Sequence, residues 1–398
     1  MKHIRLFIVA GLLLALAAPA MAASAESPFH LNNRLRLGYD DNIYQSDGAE
    51  GRPDQESSFR IIEELEMLVN LNLERTYLGL RYRPSLIWYE NRDTEDTDLL
   101  NDLDLNFSHN FSPSLVLAIS DSLRSGQLPE LQNEGYVVRQ EDDNIYNSAL
   151  ATLSYNLRPE TRIDVSGRHI LLQYDDEVND NNNYYSVVGG LTLRQQLASL
   201  TTVMLDGRYQ SLVYGDATED NNRDAETLYA GAGLEQTFSP QLLGTLRAGV
   251  ENRMYDDDTF DDETQPYGEV SMTFLPSPKT RITGAASYSI YESDVERYMS
   301  QDRTYLSLSL AHDFTAKWSF YVSGAYTLSG YEADYALDAG LEDADEESFL
   351  VSARVTYRVN RINWLEAGWQ YVELDSDVAN RVSYDRNRFD VGWKIQLF

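Results

Sequence analysis

The feature that most constrains the fold is an alternation of apolar and polar residues that restarts in hairpin after hairpin along the chain. Leu103, Leu105, Phe107, His109 and Phe111 alternate with Asp102, Asp104, Asn106, Ser108 and Asn110. Leu65, Met67, Val69, Leu71 and Leu73 alternate likewise with Glu64, Glu66, Asn70, Asn72 and Glu74, and the run from Phe349 to Val359 does so with Ser352, Arg354, Thr356 and Arg358. Period two belongs to a strand with unlike faces; a helix would scatter both sets around its circumference. Very short turns fall near Arg75-Thr76, Pro113-Ser114, Pro159-Glu160, Ser199-Leu200, Pro240-Gln241, Ser277-Pro278, Ala316-Lys317 and Arg361-Ile362. They recur roughly 40 residues apart, one hairpin each. Between them lie acidic, Asn- and Gly-rich stretches at 46–57, 92–98, 127–142, 175–183, 216–224, 256–265, 293–302, 333–347 and 376–384. Eight turns and nine loops predict about 18 strands.

Strands this long cannot remain at an open edge without inviting other chains to pair. Each is long enough to cross an outer membrane at a tilt, where every amide needs a partner within the sheet. The fold class expected is therefore all-β: a closed antiparallel transmembrane β-barrel of up-and-down topology, with tight turns and both chain ends on the periplasmic side.

At the N-terminus, Lys2 and Arg5 precede an apolar run from Leu6 to Ala18 that ends in Ala20-Met21-Ala22. This order predicts a signal peptide over 1–22, with Ala25 as the alternative cut site. Residues 23–28 are then a short periplasmic lead-in and 29–398 the barrel, which leaves no room for an N-terminal plug domain. The absence of cysteine excludes disulfides, thiolate metal sites and a lipid anchor on Cys. A net charge of −32 argues against nucleic acid as a partner, because phosphate binding needs a basic surface.

Two interface girdles are expected. Near the tight turns, His109 with Phe111 and His312 with Phe314 suit an inner belt. At the far ends of the outgoing strands a tyrosine recurs beside an acid, as Tyr39, Tyr89, Tyr174, Tyr214, Tyr255, Tyr291 and Tyr331. A tyrosine ring at headgroup level with its hydroxyl in the wet layer predicts an outer belt.

The stretch Arg36-Leu37-Gly38-Tyr39-Asp40-Asp41-Asn42-Ile43-Tyr44, whose last five residues return as Asp142-Asp143-Asn144-Ile145-Tyr146, resembles the opening of the outer-membrane β-barrel porin 2 family. The resemblance implies an outer-membrane barrel, sometimes found with exopolysaccharide export systems, and no established catalytic residues. Outer-membrane lipid, lipopolysaccharide and the barrel-assembly machinery are then the expected partners, with polysaccharide as a further one. Phe398 matches the aromatic end of such barrels. It falls one place out of phase with Phe389, Val391, Trp393, Ile395 and Leu397, which a terminal bulge or a frayed last residue would reconcile.

Eighteen strands enclose an aqueous lumen rather than a packed one. Alternation places Glu64, Glu66, Arg81, Arg83, Asp102, Asp104, Arg162, Asp164, Arg168, Asp206, Arg208, Arg354 and Arg358 inside, as opposed acidic and basic rows that line a pore. The function expected is a passive aqueous pore for hydrophilic solutes, weakly cation-preferring because of the acids at its mouth. The alternatives are an exopolysaccharide export conduit and a closed structural or assembly barrel. The longest loops, 127–142 and 333–347, could narrow the pore, with Gly135 and Gly340 allowing reversal.

Acid runs such as Asp256-Asp257-Asp258, Asp261-Asp262-Glu263 and Glu342 to Glu347 carry oxygen ligands for divalent cations, but none has an EF-hand spacing, and a solvated loop is the simpler state. No metal site and no cofactor are expected. Nor is an enzyme: the mature chain carries His30, His109, His169 and His312, and none stands beside a serine with a third orienting group.

Overall fold

The computed structural model describes residues 27–49, 54–92, 96–126, 143–175, 177–215, 223–257, 260–295, 298–333, 340–378 and 381–398. The segment expected to be a signal peptide, the loop 127–142 with Gly135, most of 216–224 and part of 333–347 lie outside the described residues.

The chain forms β1 (Phe29–Asp40), β2 (Ser58–Asn72), β3 (Thr76–Tyr89), β4 (Thr97–Ser112), β5 (Leu115–Gly126) and β6 (Asn144–Arg158). It continues with β7 (Thr161–Tyr174), β8 (Tyr184–Ala198), β9 (Thr201–Tyr214), β10 (Ala225–Ser239), β11 (Leu242–Tyr255) and β12 (Glu263–Ser277). The last six are β13 (Thr280–Glu292), β14 (Tyr298–Asp313), β15 (Trp318–Ala333), β16 (Ala344–Arg358), β17 (Asn363–Ser376) and β18 (Tyr384–Gln396). Each strand pairs antiparallel with its neighbours in sequence, and β1 pairs with both β2 and β18, so the sheet closes as an 18-stranded barrel. A short 3-10 turn over Glu177–Asn182 interrupts the loop between β7 and β8.

Alternation sets the two faces as the sequence dictates. Leu205 and Leu308 on the outside are each 61% exposed, while Asp206 and Arg303 on the inside are buried. The tight turns have a local cause. Ser112, Ser239 and Ser277 each precede a proline and accept the amide two residues on, at 3.2, 3.2 and 3.3 Å, and Thr315 accepts the Lys317 amide at 3.1 Å. A bulge precedes several of these turns. The residue it skips is Phe111, Leu157, Leu197 or Phe238, and all four are exposed, so the bulge supplies the rim with its apolar anchors. At the chain's end the amides of Leu397 and Phe398 both reach the Leu31 carbonyl, at 2.7 and 3.4 Å, two residues facing one. This bulge-like ending accounts for the phase slip of Phe398.

The first and last strands are stitched from inside. Asp40, fully buried at the end of β1, meets Arg386 at 2.7 Å and Arg388 at 3.4 Å on β18, and Arg60 at 3.6 Å on β2. Lower in the wall, Lys394 of β18 reaches across β1 to Glu66 of β2 at 3.4 Å.

Candidate functional site: the lumen and its narrowed mouth

Inside the barrel the register sets an acid on one strand opposite an arginine on the next, and most inward carboxylates are shared by two or three guanidinium groups. Asp102 is held by Arg83, by Arg124 at 2.7 Å and by Arg81 at 3.8 Å. Asp104 binds Arg81 and Arg124. Asp164 lies 3.0 Å from Arg162 and 2.6 Å from Arg194; Asp206 lies 3.3 Å from Arg208 and 3.5 Å from Arg247. Glu64 takes Arg34 and Arg36, and Asp390 takes Arg354 and Arg36, at 3.5 and 4.0 Å. The expected separation into opposed acidic and basic rows does not occur. Cross-strand neighbours of opposite sign attract at short range, so the rows interleave along the wall instead of facing each other over water.

One lumen cavity, of about 950 Å³, is bordered by seven arginines against three carboxylates, Glu64, Asp102 and Asp390. Arg81, Asp104 and Arg168 border a second of about 470 Å³. Asp164, Asp206 and Arg208, with Arg168 again, border a third of about 430 Å³. Glu66 accepts the Asn32 amide at 2.9 Å, and Arg162 stays with Asp164. Arg358 departs from the expectation: it is exposed at the turn end of β16, donates to the Asn360 carbonyl at 3.1 Å, and lies over Trp364, outside these cavities. Arg34, Arg36, Arg60, Arg124, Arg194, Arg247, Arg386 and Arg388 belong to the same wall and were missed; strand parity alone would have found them.

The outer tyrosine belt needs correction. Tyr39 does face outward, packed edge-on against Phe59. Tyr89, Tyr174, Tyr214 and Tyr331 are instead buried inside the loop end, at 2 to 4% exposure. Tyr255 and Tyr291 turn inward too, the first donating to Glu263 and the second lying under Arg303. The reason is parity: Tyr89 shares its face with Arg81 and Arg83, Tyr174 with Asp164 and Arg168, and Tyr214 with Asp206 and Arg208. Trp88, Tyr185 and Tyr209 occupy the outward positions, and Trp88 donates to Asp96 at 3.0 Å. At the turn ends of β4 and β14 the two histidines are held in place by their neighbours. His109 and His312 pair through Nδ1 with Thr76 and Thr280, at 2.8 and 2.9 Å, and each ring meets the Phe two residues on, Phe111 or Phe314, at 4.6 Å. His169 is exposed on the outer face of β7.

The inward tyrosines narrow the mouth. Tyr146, Tyr174, Tyr184 and Tyr214 pack with Leu172 and Leu212, and on the other side Tyr298 and Tyr331 pack with Val378. Between these clusters stands the tip of the β13–β14 hairpin. The Ser293 carbonyl accepts the Tyr214 hydroxyl at 3.3 Å, the Val295 carbonyl accepts Arg223 at 3.4 Å, and Asp294 accepts the Tyr331 hydroxyl at 3.0 Å and Arg381 at 2.8 Å. Residues 293–295 of this short loop reach into the lumen between the two clusters. Of the acid runs outside, Glu346 is drawn inward to Arg381 and Glu263 receives Tyr255; among the described residues no three carboxylate or histidine groups are placed to hold a metal ion.

Comparison with known proteins adds the following. OccAB3 of Acinetobacter baumannii is 11% identical, with 93% of this chain and 99% of that chain covered and a TM-score of 0.45. OccK2 (OpdF) of Pseudomonas aeruginosa, solved in complex with glucuronate, is 9% identical over 93% and 98% of the two chains, with a TM-score of 0.46. Likeness at this level concerns overall shape alone. No curated protein matches the sequence. The beta-barrel porin 2 family matches residues 179–397, more than half of the chain. With its eighteen antiparallel strands closed on a polar lumen, the chain belongs to the beta-barrel porin 2 family and is a porin-like barrel of the outer membrane.

Proposed function

We propose that the barrel is a passive pore for small hydrophilic solutes, with its turn end in the periplasm and its loop end outside. The observation that carries this reading is the lumen itself, whose cavities are walled by charge pairs rather than filled by apolar side chains. Glu64, Asp102, Asp164, Asp206 and the arginines paired with them form its lining. Selectivity then has two opposed sources. Acidic loops draw cations to the mouth, as the net charge of −32 suggests. The wall of the cavity of about 950 Å³, where arginines outnumber carboxylates, favours anions. The sum is weak selectivity, with any cation preference set at the mouth.

Residues 1–22 are read as a signal peptide and 23–28 as a lead-in to the barrel, which the assembly machinery inserts beside lipopolysaccharide. The alternative, a polysaccharide export conduit, has the inward tyrosines in its favour as stacking surfaces for sugar rings, but their burial in packed clusters stands against it. Planar-bilayer recording on the refolded barrel tests the main reading. Discrete steps of current in potassium chloride are expected, and an electrically silent barrel, with all loops intact or trimmed, would remove it.

A further inference from the structure

We infer that the loop end of β13 together with residues 293–295, the described part of the β13–β14 tip, is a gate, caught here after leaving the barrel wall for the lumen; the inference rests on the reading of the barrel as a pore. The β12–β13 ladder climbs from Ser277 opposite Thr280 to Gly268 opposite Tyr288 and stops there. Both strands go on, β12 to Glu263 and β13 to Glu292. The same register carried upward would set Tyr267 opposite Ser289, Pro266 opposite Ile290 and Gln265 opposite Tyr291. Those pairings are not made.

The backbone groups released on β13 are satisfied from inside the barrel by β11. Glu251 accepts the Ile290 amide at 2.9 Å and the Ser289 hydroxyl at 2.9 Å, and Arg253 donates to the Tyr291 carbonyl at 3.2 Å. Ile290 belongs by alternation to the outward set, yet it is 3% exposed and borders an interior cavity. Further along, Glu292 accepts Gln210 of β9 at 2.8 Å, four strands round the barrel. The wall is not left open, because the end of β12 leans on what remains. The Tyr288 hydroxyl donates to Gln265 at 2.7 Å, and the Ser300 hydroxyl donates to Glu263 at 3.1 Å.

The tip therefore has two places to be. In the wall it gains a ladder with β12, weakened because Pro266 has no amide hydrogen to give. In the lumen it keeps its ladder with β14, which runs to Glu292 opposite Ser300, and adds single side-chain bonds to Glu251, Arg253, Gln210, Tyr331 and Arg381. Neither set overwhelms the other, which is the condition for a two-state element, and the strand ends above Gly268 and Tyr288 form the hinge. In the lumen the tip fills the mouth between the tyrosine clusters; in the wall it clears it.

The chain has no cysteine, so engineered pairs report without interference. Gln265→Cys with Tyr291→Cys tests for the wall position, since ladder partners lie within disulfide reach. Val270→Cys with Ala286→Cys, opposite each other in the intact part of the same ladder, is the control. After oxidation of the refolded barrel, both pairs are expected to close by mass spectrometry. The first pair should also raise single-channel conductance, and reductant should reverse the gain. Pro266→Ala, which restores the missing donor, should speed closure of the first pair and leave the control unchanged. Closure of the control alone overturns the gate whatever current flows, and so does closure of the first pair without a change in current. Silence of every variant, oxidised or reduced, overturns the pore reading instead, and the gate falls with it.

Discussion

Arg381, on the loop between β17 and β18, donates to Asp294 at 2.8 Å and so ties the last hairpin of the barrel to the tip of β13–β14. The same guanidinium reaches Glu346 at 2.8 Å and the Tyr331 hydroxyl at 3.1 Å. One cation thus serves two buried carboxylates. Arg381→Ala leaves both without it, and breaking a buried pair from one side costs about 3–5 kcal/mol. The expected result is a lower temperature for the heat-induced gel shift of the folded barrel. Adding Asp294→Ala should recover part of the loss, because the two residues share one interaction. Strictly additive losses would show that the tie carries no energy.

Closure of the sheet depends on a second such centre. Asp40 stands among Arg60, Arg386 and Arg388 where β1 meets β2 and β18. Asp40→Ala removes the carboxylate that the three arginines share, so the seam should open first. Hydrogen exchange at the β1–β18 amides is expected to accelerate more than at β9–β10, on the far side of the barrel. Equal acceleration in both places would mean that Asp40 supports the fold in general and not the seam.

Most of this architecture was legible in the sequence, because turn spacing and a two-residue period are local signals. Ser112-Pro113 and Ser239-Pro240 mark turns by their own chemistry, and alternation then fixes the face of most residues between them. The tyrosines show how a compositional cue can override that rule. Tyr89 stands beside Glu90 like a headgroup anchor, yet it shares parity with Arg81 and Arg83, and parity decides. The hairpin tip was not legible. Its bonds to Gln210, Tyr331 and Arg381 link residues far apart in sequence, and only Pro266, a donor missing from a strand, marks the place where the ladder ends.

The assignment of faces has a direct test on β14. Leu308 is 61% exposed on the outer surface, whereas its neighbour Ser307 falls by alternation on the inward face of the buried Arg303. Leu308→Arg puts a charge into hydrocarbon and should cost about 2–4 kcal/mol near the membrane midplane. Ser307→Arg adds the same charge to an aqueous wall and should cost far less. Unfolding by urea from lipid vesicles measures both, and a larger loss for Ser307→Arg would reverse the assignment.

Selectivity separates the mouth from the waist by salt. Arg36 and Arg354 lie on the wall of the cavity of about 950 Å³ and share Asp390, so Arg36→Gln with Arg354→Gln cuts the arginines there from seven to five against three carboxylates. A unit charge about 4 Å from a passing ion in water is worth about 1 kcal/mol, or about fivefold in relative permeability. The reversal potential in a potassium chloride gradient should move toward the cation limit by an amount of that order. Asp261→Asn with Asp262→Asn, on the exposed loop before β12, should move it the other way. The Debye length shrinks from about 10 Å at 0.1 M salt to about 3 Å at 1 M. Ions pass the loop at a distance and the waist in contact, so the loop variant should lose its effect at high salt while the waist variant keeps most of its own. If both effects fade together, the arginines of the waist do not touch the permeating ion.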